Sequence, residues 1–365
     1  MSYLKAVILA GGFATRLRPL SCSRPKTLFP IVNKPLLQGI FEELASSDVE
    51  EVVLAVNALT QFHIKQQKLS KCGLKIRYVI DPPKTPLGTA GSIKNAEKLV
   101  GHDKSFIVLN GDILTSIDYK QLFNVHVNAD ALATIALCKV DNPCRYGVAE
   151  LEEGNRIKRF IEKPAEGQAP TNLINAGVYV LSPKVFDYIP ERGYCSIEHE
   201  IFPVLAKEHR LFGHMFNGLW MDIGKPEDYL LTNKFILDRL ALANELKTFK
   251  KAKVEMPIAV DTHVVVGKRT VIGPYVTLGK NVVIGDNVQI CNSIIFSDVK
   301  IGNNTIVDGA IIGEGAIVGE NVHVNKRCII ADQAKIRDNV SLNEDLAVCP
   351  AKEVSETILK RNIIC

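Results

Sequence analysis

Up to about residue 240, apolar residues come in short runs separated by stretches with helical spacing. Lys5–Ala10 (KAVILA), Glu51–Val56 (EVVLAV), Ile76–Ile80 (IRYVI) and Phe106–Leu109 (FIVL) are rich in Val and Ile and predict buried strands. Between them, Leu36–Ser46 and Ser92–Val100 predict helices, the second with Ser92 as its N-cap. Such alternation predicts an α/β domain with a mixed, mostly parallel sheet covered on both faces. Ligands of such sheets bind beyond the carboxyl ends of the strands. Past residue 130 hairpins join the pattern: Tyr146–Leu151 and Arg156–Ile161 flank a Glu-Gly-Asn turn.

After residue 256 the pattern changes. An apolar residue recurs at Val266, Ile272, Leu278, Ile284, Ile290, Phe296, Ile301, Val307, Ile312, Val318, Val324, Ile330, Ile336 and Leu342. Eleven of the thirteen intervals are six residues and two are five, a period that fits neither an isolated helix nor a hairpin. It predicts a left-handed parallel β-helix of hexapeptide repeats, three hexads to a coil, with these side chains stacked inside. The expected organisation is a domain over 1–240, a connection over 241–256 and a solenoid over 257–365. Leu230–Leu246 reads as a helix leading into the connection, and the tail EVSETILKRNII as a segment that caps or pairs with the solenoid.

Composition narrows the function classes. Lys plus Arg is 44 against 40 for Asp plus Glu, spread along the chain, so nothing points to nucleic acid as a partner. No apolar run approaches the eighteen or so residues of a membrane span, and MSYLKAVILAGG is too short for one. The nine cysteines are scattered without a CxxC pair, which predicts reduced thiols in a cytoplasmic protein rather than a disulfide framework or a zinc site.

One stretch, LAGGFATRLRPLSCSRPKT at 9–27, ends a predicted strand in glycines and then lays cations along a loop. Glycines after a strand let backbone N–H groups approach a phosphate. The stretch lacks the GK[ST] of a Walker loop and the G-x-G-x-x-G of the dinucleotide fingerprint. Taken singly, Gly11-Gly12 reads as a tight turn, Arg16 and Arg18 as surface charges, and Asp112 and Asp222 as turn aspartates. As an ordered set, GGFATRLRPL…RPK resembles the signature of the sugar-1-phosphate nucleotidylyltransferases. LGTAG at 87–91, LNGD at 109–112, YGV at 146–148, EKP at 162–164, NAGVY at 175–179 and WMDIGKP at 220–226 follow in the family's order. Within that family, VNKP at 32–35, SIEHEIFPVLAKE at 196–208 and GLWMDIGKPEDY at 218–229 are similar to the mannose-1-phosphate guanylyltransferase branch. Two positions depart from the usual motif: Ala14 stands where glycine is usual, and Thr27 where proline is.

The resemblance implies a Rossmann-like nucleotidyltransferase domain followed by the β-helix. It implies a transfer of a nucleotidyl group from an NTP, GTP by the branch, to a sugar 1-phosphate, mannose 1-phosphate by the branch, with release of pyrophosphate. Arg16 would hold the triphosphate, Lys26 the α-phosphate and Lys163 the sugar phosphate. Asp112 and Asp222 would share Mg²⁺, which prefers one or two carboxylates plus phosphate oxygens. Leu9, Ala10, Gly11, Gly12, Thr15, Leu87, Gly88, Thr89, Asn110 and Gly111 would line the nucleotide. Gly147, Glu162, Asn175 and Gly177 would line the sugar, while Trp220 is as much a core candidate as a contact. Other readings are the same chemistry with glucose or N-acetylglucosamine 1-phosphate and UTP, dTTP or ATP, and a silent regulatory subunit. An acyltransferase role for the solenoid is weaker than assembly, for which a homo-oligomer is expected.

Overall fold

The computed structural model describes residues 4–83, 85–241, 249, 252–358 and 363–365. Contacts divide the chain into two compact units: Met1–Gly12 with Leu37–Asp222, and Phe13–Leu36 with Ile223–Cys365. The elements run β1 (Leu4–Leu9), a two-stranded ribbon of β2 (Pro30–Ile31) and β3 (Lys34–Pro35), then α1 (Leu36–Ser46), β4 (Val49–Val56) and α2 (Ala58–Gln66). Next come β5 (Lys75–Ile80), α3 (Gly88–Asn95), α4 (Glu97–Val100), β6 (Phe106–Asn110) and β7 (Ile113–Thr115). The series closes with α5 (Tyr119–Asn128), β8 (Ala133–Lys139), β9 (Gly147–Leu151), β10 (Ile157–Glu162), β11 (Leu173–Leu181), α6 (Phe202–Lys207), β12 (Leu211–Met215), β13 (Trp220–Asp222) and α7 (Pro226–Ala241).

The first unit is built on a sheet of order β10-β9-β11-β6-β1-β4-β5, with β8 beside β11 and β12 beside β8. The four runs read as buried strands are β1, β4, β5 and β6, and they pair in parallel. However, β5 is the sheet's edge strand, and its residues are half-buried or exposed rather than buried. The sheet is mixed, and its other half, around β11, pairs largely antiparallel. Val7, Val53, Val108 and Tyr179, all fully buried, belong to one core with helix residues such as Ala90, Ile93 and Phe202. The second predicted helix starts earlier than Ser92. Its first turn is capped by backbone, since the Cys195 carbonyl accepts from Ala90 and Gly91 N–H at 3.0 and 3.2 Å. Ser92 lies inside α3 and its hydroxyl donates instead to Asp81 at 2.6 Å.

In the second unit the hexads form three parallel sheets, the strand arrangement of a parallel β-helix. One inward column runs Ile272, Ile290, Val307, Val324, Leu342. A second runs Val266, Ile284, Ile301, Val318, Ile336, Val354. The third runs Leu278, Ile295, Ile312, Ile330, Val348. Phe296 is therefore not the column residue; the short interval falls one step earlier, between Ile290 and Ile295. Phe296 packs outside the column, its ring 6.3 Å from that of Phe29 and 6.4 Å from that of Tyr229. At one corner Asn287, Asn304, Asn321 and Asn339 adopt positive φ, which Asn tolerates better than most residues, and their amides form a hydrogen-bonded ladder.

The tail pairs rather than merely caps: Ile363–Ile364 lies parallel to Ala347–Val348. That pairing brings Cys365 to Cys349, Cα to Cα 4.9 Å, and the two form a disulfide, against the expectation of reduced thiols throughout. Spacing in sequence gave no hint, because the pairing depends on the tail returning along the last coil. The connection at 241–256 and the end of the predicted helix Leu230–Leu246 fall largely outside the described residues. Among the described residues no helix is long and apolar enough to cross a membrane.

Candidate functional site

Strand register lines up the first unit's candidate residues along one edge of its sheet. Glu162 opposes Gly147 across β10 and β9. Ile174 opposes Val148, which sets Asn175 beside Gly147. Val178 opposes Leu109, which sets Gly177 beside Asn110, and Leu9 pairs Asn110. Glu162, Gly147, Asn175, Gly177, Asn110 and Leu9 thus form a row drawn from five strands. At its end are the carboxyl termini of the parallel neighbours β1 and β6, where sheets of this type bind ligands. Gly111 N–H donates to the Leu9 carbonyl at 2.9 Å, and the Asn57 amide donates to the Gly11 carbonyl at 2.9 Å. Ala10 N–H donates to the Ala55 carbonyl at 2.8 Å.

Asp112 directly precedes β7, and Asp222 ends β13. The β13–β7 ladder places Asp222 opposite Ile113, one residue from Asp112, although 110 positions separate the two in sequence. Both residues are half-buried, and carboxylates are the hard oxygen donors that Mg²⁺ takes, so the chemistry of this pair fits the ion. Trp220, on the same ladder, donates its indole N–H to the Ala176 carbonyl at 2.9 Å and sets its ring edge-on to Tyr146 at 5.1 Å. It therefore braces the Asn175–Gly177 stretch.

Lys163 stands just past β10 with φ 45°, an unusual backbone for lysine, and its ammonium lies 3.0 Å from Glu162. Gly177 also needs a positive φ of 70°, and a Cβ there would sit 2.7 Å from the Asn110 amide nitrogen. At Gly88 (φ 72°) a Cβ would run into the Cys195 carbonyl. Leu87 caps the helix that Gly88 opens. Thr89, read as a nucleotide contact, spends its hydroxyl inside the protein: it donates to Glu198 at 2.6 Å and accepts from Ile197 N–H at 2.9 Å.

Glu198 escaped the sequence reading as an individual residue, yet it joins the two sides of the row. It accepts from Thr89, from Ser196 at 2.8 Å and from the Tyr179 hydroxyl at 3.3 Å. The Asn175 amide donates to Tyr179 at 3.0 Å, and Gly177 N–H donates to the Asn175 side chain at 2.8 Å. Burial, then the Glu198 carboxylate, raises the Tyr179 phenol well above its usual pKa, so it stays a donor at neutral pH. Asn57 and Asp81, which hold the Gly11 carbonyl and the Ser92 hydroxyl, were missed as well; an N-cap signal was the only local mark of Asn57.

Thr15, Arg16 and Lys26 are carried by the segment Phe13–Leu36, which packs in the second unit. Arg16 and Thr15 are exposed and Lys26 is buried. Each cation sits in a short 3₁₀ turn, Thr15–Leu17 and Lys26–Leu28. The Ala14 that departs from the usual glycine has φ 46° and ψ 45°, the left-handed region where a glycine would be unstrained. Gly12 is the residue that hands the chain from β1's unit to this segment.

Residues 5–239 match the family described as Nucleotidyl transferase. The chain belongs to that family. Residues 254–364 match a second description, GMPPB C-terminal domain. Among curated relatives of this nucleotidyl transferase is Mannose-1-phosphate guanyltransferase beta-B of Xenopus laevis, 42% identical over 229 residues, 62% of this chain. The chain spans 63% of that relative's length in the match. Among solved structures, HddC from Yersinia pseudotuberculosis complexed with GMP-PN is 30% identical with a TM-score of 0.53, over 64% of this chain and 99% of that one. A UDP-glucose pyrophosphorylase complexed with UDP-glucose is 25% identical with a TM-score of 0.56, over 65% of this chain and 100% of its own.

Proposed function

We propose that this nucleotidyl transferase moves a guanylyl group from GTP to mannose 1-phosphate, forming GDP-mannose and releasing pyrophosphate. The observation that carries the reading is the register-aligned row from Glu162 to Leu9 with the Asp112/Asp222 pair beside it. The names of the relatives supply the choice of sugar and base. In the reaction a phosphate oxygen of the sugar attacks the α-phosphorus, and that P–O bond forms as the bond to the bridging oxygen breaks. Pyrophosphate leaves in line with the electron pair. No protein nucleophile is required, so the residues position anions and neutralise charge.

In this reading Lys163, steadied by Glu162, receives the sugar phosphate, and Gly147, Asn175 and Gly177 border the sugar. Gly11, Gly12 and the Leu87–Gly88 turn give the nucleotide a backbone surface. Arg16 and Lys26 neutralise the triphosphate and the α-phosphate. Mg²⁺ held by Asp112 and Asp222 would offset the negative charge gathering on the phosphate oxygens. A solenoid that self-associates into a homo-oligomer and a cytoplasmic setting, where NTPs and sugar phosphates are at hand, complete the proposal; light scattering tests the first.

The UDP-glucose-bound neighbour favours a second reading, the same transfer with glucose 1-phosphate and UTP. A matrix of NTPs against sugar 1-phosphates with Mg²⁺, read by pyrophosphate release, separates the two. GTP with mannose 1-phosphate should give the highest kcat/KM; no turnover with any pair would end both readings.

A further inference from the structure

The segment bearing Arg16 and Lys26 is held by local turns and by contacts from afar. Tyr229 donates to the Pro30 carbonyl at 2.6 Å, and Val32 N–H donates to Asn233 at 2.8 Å. One anchor ties the stretch next to Lys26 to the solenoid. Leu17, Leu20, Leu28 and Phe29 are buried, and short backbone bonds close the segment's turns: Leu17 N–H to Ala14, Cys22 to Pro19, Leu28 to Pro25, Phe29 to Lys26. The anchor is Arg24, more than 280 residues distant in sequence from its partners. Its guanidinium pairs with Glu314 and lies 3.1 Å from Asp332, and its Cζ stands 5.0 Å from the centre of the Phe296 ring. Ser23 donates to the same Asp332 oxygen at 2.7 Å. Arg24 and Asp332 side chains are 16% and 12% exposed, so the pair is shielded from water and from screening.

Asp332 occupies a corner of the solenoid. Its Oδ1 accepts the Glu314 N–H at 2.8 Å, the bond that Asp286 makes to Lys268 N–H and Asp338 to Glu320 N–H. At this corner the second oxygen is turned to Arg24 and Ser23. The clamp reaches both cations through stiff links. Only Pro25, extended at φ −64° and ψ 144°, separates Arg24 from Lys26. On the other side Ser21 donates to the Ala14 carbonyl at 2.8 Å, and Ala14 opens the turn that carries Arg16.

We propose that Arg24 is a positioning residue for the transfer reaction: clamped by Asp332 and Glu314, it sets where Lys26 and Arg16 stand, so the solenoid contributes to turnover. The inference rests on the functional reading above. Misplacing a charge by about 1 Å at such a centre costs about a hundredfold in rate. The test compares the wild-type chain with Glu314→Gln, Asp332→Asn, Arg24→Gln, Arg24→Lys and the pair Arg24→Gln/Asp332→Asn. It reads kcat and KM for GTP and hydrogen exchange of residues 13–28.

Asp332→Asn, which keeps shape and the corner bond, should lower kcat/KM about ten- to a hundredfold and speed exchange of that segment about tenfold. Solenoid peptides should keep their wild-type exchange, and the double variant should fall no further than the lower single. Arg24→Lys should recover much of the loss, and the half-exposed Glu314→Gln should show a smaller one. Asp332→Asn within twofold of wild type in kcat/KM overturns the proposal. A wild type inactive with every substrate pair would instead refute the functional reading, and the exchange measurement would still decide whether the clamp orders the segment.

Discussion

In the sheet unit, the row from Glu162 to Leu9 takes its six residues from five strands, two of them from β11. In the solenoid, each column residue recurs after 17 or 18 positions, and Ile295, Ile312 and Ile330 are near equivalents in one stack. Both regions bury aliphatic side chains completely. They differ in how replaceable a position is: the row has no second copy of Asn110 or Asn175, whereas the column has neighbours of the same kind above and below. Even the corner aspartates follow this rule until Asp332 turns one oxygen outward to Arg24. Repetition carries burial in the solenoid, and in the sheet the positions proposed for chemistry are singular.

The comparison breaks most easily at the Asp112/Asp222 pair, proposed above to hold Mg²⁺. Asp222→Asn should lower kcat about a thousandfold, about 4 kcal/mol of barrier, with little change in thermal midpoint; pyrophosphate release and calorimetry check both. Ile312→Ala, in the middle of a column, should cost about 2–5 kcal/mol of stability in urea titration and leave KM for GTP unchanged. Third is acid sensitivity in the sheet unit. His126 is buried between Thr134 and Ser105 hydroxyls at 3.0 Å each, and burial, partly opposed by Asp130, lowers its pKa to about 4. Above pH 6.5 the imidazole is neutral folded or unfolded. Between about 6.5 and 4 the unfolded chain takes up a proton that the folded one refuses, so stability falls as pH falls, by up to about 3 kcal/mol. His126→Gln should flatten that slope in pH-dependent melts; an unchanged slope would place the acid lability elsewhere. Smallest, Ala14→Gly should gain about 1 kcal/mol by relieving the left-handed backbone, read as a raised midpoint.

Much of this was legible beforehand where a local period or an ordered motif carried it. The four parallel strands, α1 and the solenoid follow from alternation and the six-residue spacing, because each coil repeats the same burial. Phe296 shows the limit: an apolar residue at the expected step lay outside the column, since a five-residue interval can fall on either side of a corner. Ser92 was a plausible cap, but a carbonyl from residue 195 did the capping. Glu198 and Arg24 stood inside quoted motifs but were not singled out, as acids and arginines read alike until their partners are known.

From sequence alone come the elements, the order of motifs and the set of charges that could meet a triphosphate. Which of them stand together was decided by strand register and by the return of distant segments: Asp222 beside Asp112, Asn175 beside Gly147, Asp332 beneath Arg24. Local preferences act over one turn or one strand, whereas these juxtapositions depend on pairings across tens to hundreds of residues, whose energies no single stretch contains.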